Sequence, residues 1–138
     1  MRLRKLLFVD SGLAANLSGL TESKLRKHDA LAGGLVENFV LGELARQLTW
    51  SVIRARLYHY RTKEHVEVDA VLGASDGRIV GIEVKAAESV RFEEFAGLRH
   101  LQSRLGSRFH AGIVLYAGQT VASFGDRLFA TPIDTLWA

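Results

Sequence analysis

The sequence contains no cysteine, a single proline and no long run of one charge sign. The absence of cysteine excludes disulfides, thiolate nucleophiles and zinc ribbons, and it fits a reducing compartment, so we expect a cytoplasmic protein. The scarcity of proline and the even spread of charge give no indication of disorder. A chain of 138 residues, 48% of them hydrophobic, is long enough for one core and short for two. We therefore predict a single domain over residues 1–138.

No hydrophobic stretch in the sequence is suited to crossing a membrane. The longest apolar-leaning segment, residues 31–48, is interrupted by Glu37, Glu43 and Arg46, whereas a membrane helix needs about 20 predominantly apolar residues. The start of the chain is basic, like a signal peptide, but its apolar run ends at Asp10 and is too short for a signal-peptide core. A net charge of +3 favours a polyanion partner only slightly.

Hydrophobic periodicity predicts a mixed order of helices and strands. We predict a short buried strand over residues 6–9, a helix capped by Asp10 or Ser11, a short helix after Thr21, and a main helix from Asp29 to about Thr49. Further strands are predicted over residues 54–62, 65–72, 78–86 and 109–116, with an amphipathic helix that ends at Gly106 and a final hairpin over 121–130. This order predicts an α/β fold with a mixed central sheet flanked by helices.

Alternation along two neighbouring strands brings acids and a lysine to one face. In the strand over residues 78–86, Glu83 and Lys85 point to one side. In the preceding strand, Glu67 and Asp69 are predicted to point away from an apolar face formed by Val66, Val68, Ala70 and Leu72. Pairing of the two strands would bring Asp69 near Glu83. Taken alone, the E-V-K tripeptide is equally typical of a solvated sheet face.

A third acid lies on the main helix. Glu37 stands at helical spacing from an apolar stripe formed by Leu41, Leu44 and Leu48, and a carboxylate in that place needs a partner. Acids and a lysine together suit a site for Mg²⁺ or Mn²⁺, since these ions prefer oxygen ligands and a nearby lysine can orient water or neutralise a phosphate. Glu37 could instead cap a backbone group or pair with Arg61, and this structural alternative stays open.

These residues resemble the PD-(D/E)xK nuclease pattern. Glu37 matches its helical acid, Val68-Asp69 its first strand motif, with valine at the nominal proline, and Glu83-Val84-Lys85 its ExK motif. Nearly the whole chain also resembles the uncharacterised domain that follows the P-loop domain in many predicted AAA-type ATPases. That resemblance rests on Phe8-Val9-Asp10-Ser11-Gly12-Leu13, Gly34-Leu35-Val36-Glu37-Asn38-Phe39-Val40, Tyr58-His59-Tyr60-Arg61, Glu67-Val68-Asp69, Ile82-Glu83-Val84-Lys85 and Gly112-Ile113-Val114-Leu115-Tyr116.

The resemblance implies a restriction-endonuclease-like fold and a metal-dependent nuclease. Asp69 and Glu83 would then be ligands of Mg²⁺ or Mn²⁺, with Lys85 as the activating cation and Glu37 as an outer-shell helper. The sequence has no G-x-x-x-x-G-K-S/T element, so no ATP site is expected in it. Because such a domain is usually attached to an ATPase, we expect an ATPase domain or partner, or a second copy of the chain. Candidates for the apolar contact surface are Leu3, Leu6, Phe8 and Leu13.

Nucleic acid is the expected substrate or partner. Tyr58 and Tyr60 are candidates for stacking on bases, and Arg61 is a candidate for contacting phosphate, although such residues are more often only part of a solvated strand. The rival function is a catalytically silent module that uses the same fold to bind DNA or to regulate a partner ATPase. Titration with a divalent metal would separate the two hypotheses.

Overall fold

The computed structural model describes residues 5–27 and 30–138 of the chain. The helices of the described residues are α1 (Ser11–Leu17), α2 (Glu22–Arg26), α3 (Ala30–Leu48) and α4 (Ala96–Leu105). The strands are β1 (Ala55–Arg61), β2 (Glu67–Ala74), β3 (Ile79–Lys85), β4 (Phe109–Tyr116), β5 (Ala122–Gly125) and β6 (Leu128–Pro132). Within these ranges, no helix has the length and apolar character needed to cross a membrane.

The strands form one mixed sheet in the order β1-β2-β3-β4-β6-β5. Strands β1, β2 and β3 pair in antiparallel fashion, whereas β3, β4 and β6 run parallel and β5 closes the far edge as an antiparallel partner of β6. Helix α4 provides the crossover between the parallel strands β3 and β4, as such a connection requires. The predicted α/β fold, a mixed sheet flanked by helices, is confirmed.

The two faces of the sheet are buried under different helices. Helix α3 packs on one face, and the buried residues there are Val40, Leu41, Leu44, Ala70, Ile82, Val84 and Leu115. Helix α4 packs on the other face, and the largest buried side chains there are Phe95, Leu98, Leu101, Phe109 and Tyr116. Because β3 alternates, Ile82 and Val84 face α3 while the residues between and after them face α4. This places Glu83 and Lys85 on the α4 side of a central strand.

The beginning of the chain differs from its prediction. Residues 5–10 form no strand, and Leu6 and Val9 are 94% and 93% exposed, so the predicted buried strand is wrong. Asp10 does cap α1, accepting the backbone N–H of Leu13 at 2.9 Å. The predicted helix cap Asp29 and the predicted surface residue Leu3 lie outside the described residues. The run was apolar enough for a strand, but here it lies on the surface.

A β-bulge interrupts strand β2 close to the candidate acids. Tyr58 of β1 pairs with Val71, but Tyr60 pairs with Val68, so β2 contains one residue more than β1 across this stretch. Val68 therefore packs on the α4 side, whereas Ala70 packs on the α3 side. The predicted apolar face with strict alternation through Val68 and Ala70 is wrong, because the extra residue reverses the side on which the following residues lie.

Candidate functional site

Asp69 lies at the point where strands β2 and β3 separate. The pairing of the two strands ends at Ala70 and Ile82. Beyond that pair, the Asp69 carboxylate takes the place of a backbone acceptor, and its Oδ2 accepts the backbone N–H of Val84 at 2.9 Å. The bulge thus directs this side chain into the gap between the strands. Asp69 approaches Glu83 through this gap rather than by the simple alternation that the sequence suggested.

Glu83 is the most enclosed acid of the candidate site. The residue is only 8% exposed, because helix α4 lies directly over it at Gly97. A Cβ at Gly97 would stand 3.0 Å from Glu83 Oε1 and would collide with the backbone oxygen of Glu67. The lack of a side chain at Gly97 therefore allows α4 to cover the carboxyl group.

Burial and the Asp69 charge both act on the protonation of Glu83. Burial is the larger cause, and together with the negative charge of Asp69 and the hydrogen bond between the two carboxyl groups it raises the pKa of Glu83 from the usual 4.5 to about 9. The positive charge of Lys85 opposes this and lowers the pKa. At neutral pH the Glu83 carboxyl group therefore keeps its proton in its place beside Asp69.

Lys5 joins the remaining acids on the α3 side of the gap. Its ammonium group forms an ion pair with Glu37 Oε1 and lies 3.6 Å from Asp69 Oδ1 and 3.8 Å from Glu67 Oε1. The structural alternative for Glu37 was an ion pair with Arg61; the partner that the structure gives is Lys5. Glu67 also lies 3.4 Å from Nε2 of His59. A lysine from the first described residues thus connects the helical acid Glu37 with the acids of β2.

Lys85 lies close to Glu83 on the same strand. It follows Glu83 by two residues on β3, is partly buried, and forms no ion pair within the described part of the chain. Its charge still acts on the Glu83 carboxyl group. The structure therefore brings Asp69, Glu83 and Lys85 into one neighbourhood and places Glu37 next to it through Lys5.

The pair Asp69 and Glu83 offers a metal ion two carboxyl groups and not a complete set of protein ligands. Across residues 5–27 and 30–138, no group of three or more His, Cys, Asp or Glu side chains is arranged to hold a metal ion. Asp69 and Glu83 form a pair, and the other two acids point to an ammonium group instead. A metal ion at the pair would need water, backbone or substrate oxygens as further ligands.

The three residues predicted to contact nucleic acid differ in their surroundings. Tyr58 is 47% exposed and lines a groove of about 740 Å³ together with Arg54 and Arg56. Tyr60 instead packs against the core under α4, with its hydroxyl 3.1 Å from Nε2 of His100. Arg61 is exposed and lies near His65. Only Tyr58 and Arg61 are placed to contact a large ligand.

The sequence matches one known domain family. Residues 32–136 match the family described as domain of unknown function (DUF4143). The chain belongs to this family. The DUF4143 match includes Glu37, Asp69, Glu83 and Lys85. It begins at residue 32, so Lys5 lies outside it. No curated protein matches the chain.

Two residues that shape this DUF4143 site were missed in the sequence. Lys5 lies in a basic and apolar tract that resembles the start of a strand, and no spacing connects it with acids more than thirty residues away. Gly97 carried a weak signal, since a glycine inside an amphipathic helix often marks a close approach of backbone. Neither contact follows from periodicity, because both depend on how distant segments are brought together.

The raised pKa of Glu83 predicts a pH-dependent stability. The folded protein keeps this proton up to about pH 9, whereas the unfolded chain releases it near pH 4.5. The stability that protonated Glu83 contributes is therefore fully present below the unfolded pKa and is lost as the pH rises through the folded pKa. The free energy of unfolding should fall by at most about 1.4 kcal/mol per pH unit. Urea unfolding from pH 5 to pH 9 with a chelator, on wild type and Glu83→Gln, measures this as the difference between the two curves.

In this comparison Glu83→Gln serves as the control, because glutamine keeps the shape of the protonated acid but cannot ionise. Its stability relative to wild type is expected to increase steadily as the pH rises. Two curves that stay parallel over the whole range would show that Glu83 ionises as freely in the folded protein as in the unfolded chain.

Proposed function

We propose that this DUF4143 chain is a metal-dependent phosphodiesterase domain that acts on nucleic acid. In this proposal Asp69 and Glu83 hold Mg²⁺ or Mn²⁺, Lys85 acts on the attacking water or on the phosphate, and Glu37 acts from the outer shell. The restriction-endonuclease-like PD-(D/E)xK assignment is part of the same proposal. It predicts a cytoplasmic protein that works with an ATPase domain or partner.

One observation carries the proposal: the buried carboxyl group of Glu83 lies beside the partly buried carboxylate of Asp69 at the gap between β2 and β3, with a lysine two residues further along β3. An ordinary solvated sheet face would expose these groups to water and would not bring two acids into contact. Burying the Glu83 carboxyl group next to a second acid costs stability, so a role in packing alone does not explain it. Perturbed acids in such a setting favour a catalytic or binding site over a structural role.

The donor set fits a small divalent cation. Two ionised carboxylates beside each other repel, and a divalent ion bound between them would relieve this repulsion. Oxygen ligands exclude soft metals and favour Mg²⁺ or Mn²⁺. Bound there, such an ion would supply Lewis-acid activation of a phosphate and of a nearby water.

The side chains of the chain have separate roles in this chemistry. The Lys85 ammonium, which forms no ion pair with any acid of residues 5–27 and 30–138, can donate hydrogen bonds to a phosphate oxygen and offset the negative charge that develops there. Asp69 is already oriented by the Val84 N–H, so its second oxygen is held in a fixed direction. Helix α4 excludes water from Glu83 through the close contact at Gly97, which strengthens electrostatic interactions in the site.

A nuclease assay tests the proposal directly. Purified protein is incubated with single-stranded, duplex and branched DNA and with RNA, in the presence of Mg²⁺, Mn²⁺ or a chelator. We expect cleavage of at least one substrate with a divalent ion, and loss of cleavage with the chelator and in Asp69→Asn. Protein that binds Mn²⁺ but cleaves none of these substrates would contradict the catalytic proposal.

The second candidate is the catalytically silent module that binds DNA or regulates an ATPase. It is favoured by Lys5, which already neutralises Glu37 and approaches Asp69 and Glu67 without any metal. It is also favoured by Leu6 and the neighbouring residues Phe8 and Leu13, which are exposed as predicted for a surface that contacts another chain. Binding of duplex DNA without cleavage, or a change in the activity of an added ATPase, would support this candidate.

A further inference from the structure

The segment before α1 is attached to the domain by polar contacts. Asn38, which is buried on α3, accepts the backbone N–H of Phe8 at 2.7 Å and donates to the Phe8 carbonyl at 3.0 Å. The same amide group donates to the Ser11 hydroxyl at 3.2 Å. The apolar side chains of Leu6 and Val9 point to solvent and contribute little. The polar attachments of residues 5–10 to α3 are therefore the Asn38 amide and the ion pair of Lys5 with Glu37.

The Lys5 ammonium occupies a place that a cation would be expected to fill. Its side chain is 24% exposed, and it lies within 4 Å of carboxylate oxygens of Glu37, Glu67 and Asp69. Three acids from α3 and β2 would repel each other without a positive charge between them. Lys5 supplies that charge from residues 5–10, which form no helix or strand.

We propose that Lys5 is a built-in competitor of the divalent ion, and that the metal binds only as Lys5 leaves the acids. This inference rests on the proposed metal site at Asp69 and Glu83 and adds a regulatory element to it. Asp69 is the shared residue, because its Oδ1 lies 3.6 Å from Lys5 Nζ while the same carboxylate faces Glu83. With Lys5 in place the site is closed; with the segment displaced, Asp69 is free to take a metal.

The competition follows from charge alone. An ammonium group and a divalent cation that share the Asp69 carboxylate would repel each other at short range in a partly buried site, where the repulsion is only weakly screened. Metal binding must therefore break the contact between Lys5 and Asp69. A partner that draws the segment away from Asn38 would have the same effect, because it would remove Lys5 together with the chain that carries it.

Calorimetric titration with Mn²⁺ of wild type, Lys5→Met and Lys27→Met tests the competition. Methionine keeps the unbranched apolar stem of lysine but removes its charge. We expect Lys5→Met to bind Mn²⁺ at least about tenfold more tightly than wild type, because the repulsion and the competing ion pair are both absent. Lys27 is exposed, and Lys27→Met is expected to bind Mn²⁺ like wild type.

A second variant leaves every charge in place. Asn38→Ala removes the amide that holds Phe8 and Ser11, so it loosens the segment without changing the acids or Lys5. Tighter Mn²⁺ binding by a folded Asn38→Ala protein, as judged by circular dichroism, is expected and would support displacement of the segment as the controlling step. Unchanged or weaker binding in this variant would overturn that step.

The possible results separate this inference from the proposed function. Equal or weaker Mn²⁺ binding by Lys5→Met than by wild type would overturn the competition while leaving the metal site intact. Absence of Mn²⁺ binding in wild type and in folded Lys5→Met and Asn38→Ala proteins would overturn the metal site and the competition together. Tighter binding by Lys27→Met, equal to that of Lys5→Met, would show a general charge effect and would also overturn the specific role of Lys5.

Discussion

Lys85→Ala is expected to abolish most cleavage while leaving Mn²⁺ bound. In the proposed site Lys85 acts on the water or phosphate and holds no metal, so its removal should lower the cleavage rate at least about hundredfold, as losses of charge-stabilising groups do. Mn²⁺ affinity should stay equal to or rise slightly above that of wild type, since a neighbouring positive charge is removed. Single-turnover cleavage and calorimetry on the same preparation measure the two effects.

Two further variants complete this experiment. Glu83→Gln removes a charged ligand and should weaken Mn²⁺ binding and cleavage together, in contrast to Lys85→Ala. Lys63→Ala, at an exposed lysine of the turn after β1, should change neither. If Lys85→Ala cleaved at the wild-type rate, the lysine would have no catalytic role; if it lost metal and cleavage in parallel, Lys85 would support the structure of the site instead.

Gly97→Ala is expected to destabilise the domain by about 2 to 3 kcal/mol, as overpacking of a tight contact does. The added methyl group would collide with the backbone oxygen of Glu67, and a backbone atom in a strand cannot move aside as the end of a flexible side chain can. The start of α4 would have to lift from β2, which would also expose Glu83. Urea unfolding at neutral pH gives the change in free energy of unfolding.

Gly34→Ala provides the matched control for this substitution. Gly34 lies in α3, and a Cβ at Gly34 would have nothing within 4 Å. The same glycine-to-alanine change should therefore stabilise the protein by about 0.5 to 1 kcal/mol through helix propensity alone. If Gly97→Ala and Gly34→Ala changed the free energy of unfolding by the same amount in the same direction, α4 would tolerate a side chain at Gly97 and would not be in tight contact with Glu83 and the Glu67 backbone.

Much of the sheet could be predicted from the sequence. Strand β4 was predicted with its observed bounds, and β3 to within one residue at each end, because continuous apolar runs between turn residues describe buried parallel strands well. The segment before α1 was predicted as a strand because its composition is apolar. Its actual position depends on Asn38, a polar contact from thirty residues away, which no local pattern could reveal.

The candidate site was only partly predictable. Glu83 and Lys85 follow from alternation on an uninterrupted strand, and their side on β3 agrees with that expectation. The position of Asp69 does not follow from alternation, because the bulge in β2 depends on the pairing of β2 with β1 and not on the β2 sequence alone. The role of Lys5 and the close approach at Gly97 are tertiary contacts, so they become visible only once the chain is folded.

The most direct measurement is a crystal structure of the wild-type protein soaked in Mn²⁺, with the ion located by its anomalous scattering. We predict one anomalous peak in the gap between β2 and β3, within coordination distance of both Asp69 and Glu83, with the Lys5 ammonium withdrawn from Asp69. A structure at saturating Mn²⁺ with no peak at this pair, and with Lys5 still in contact with Glu37 and Asp69, would contradict it.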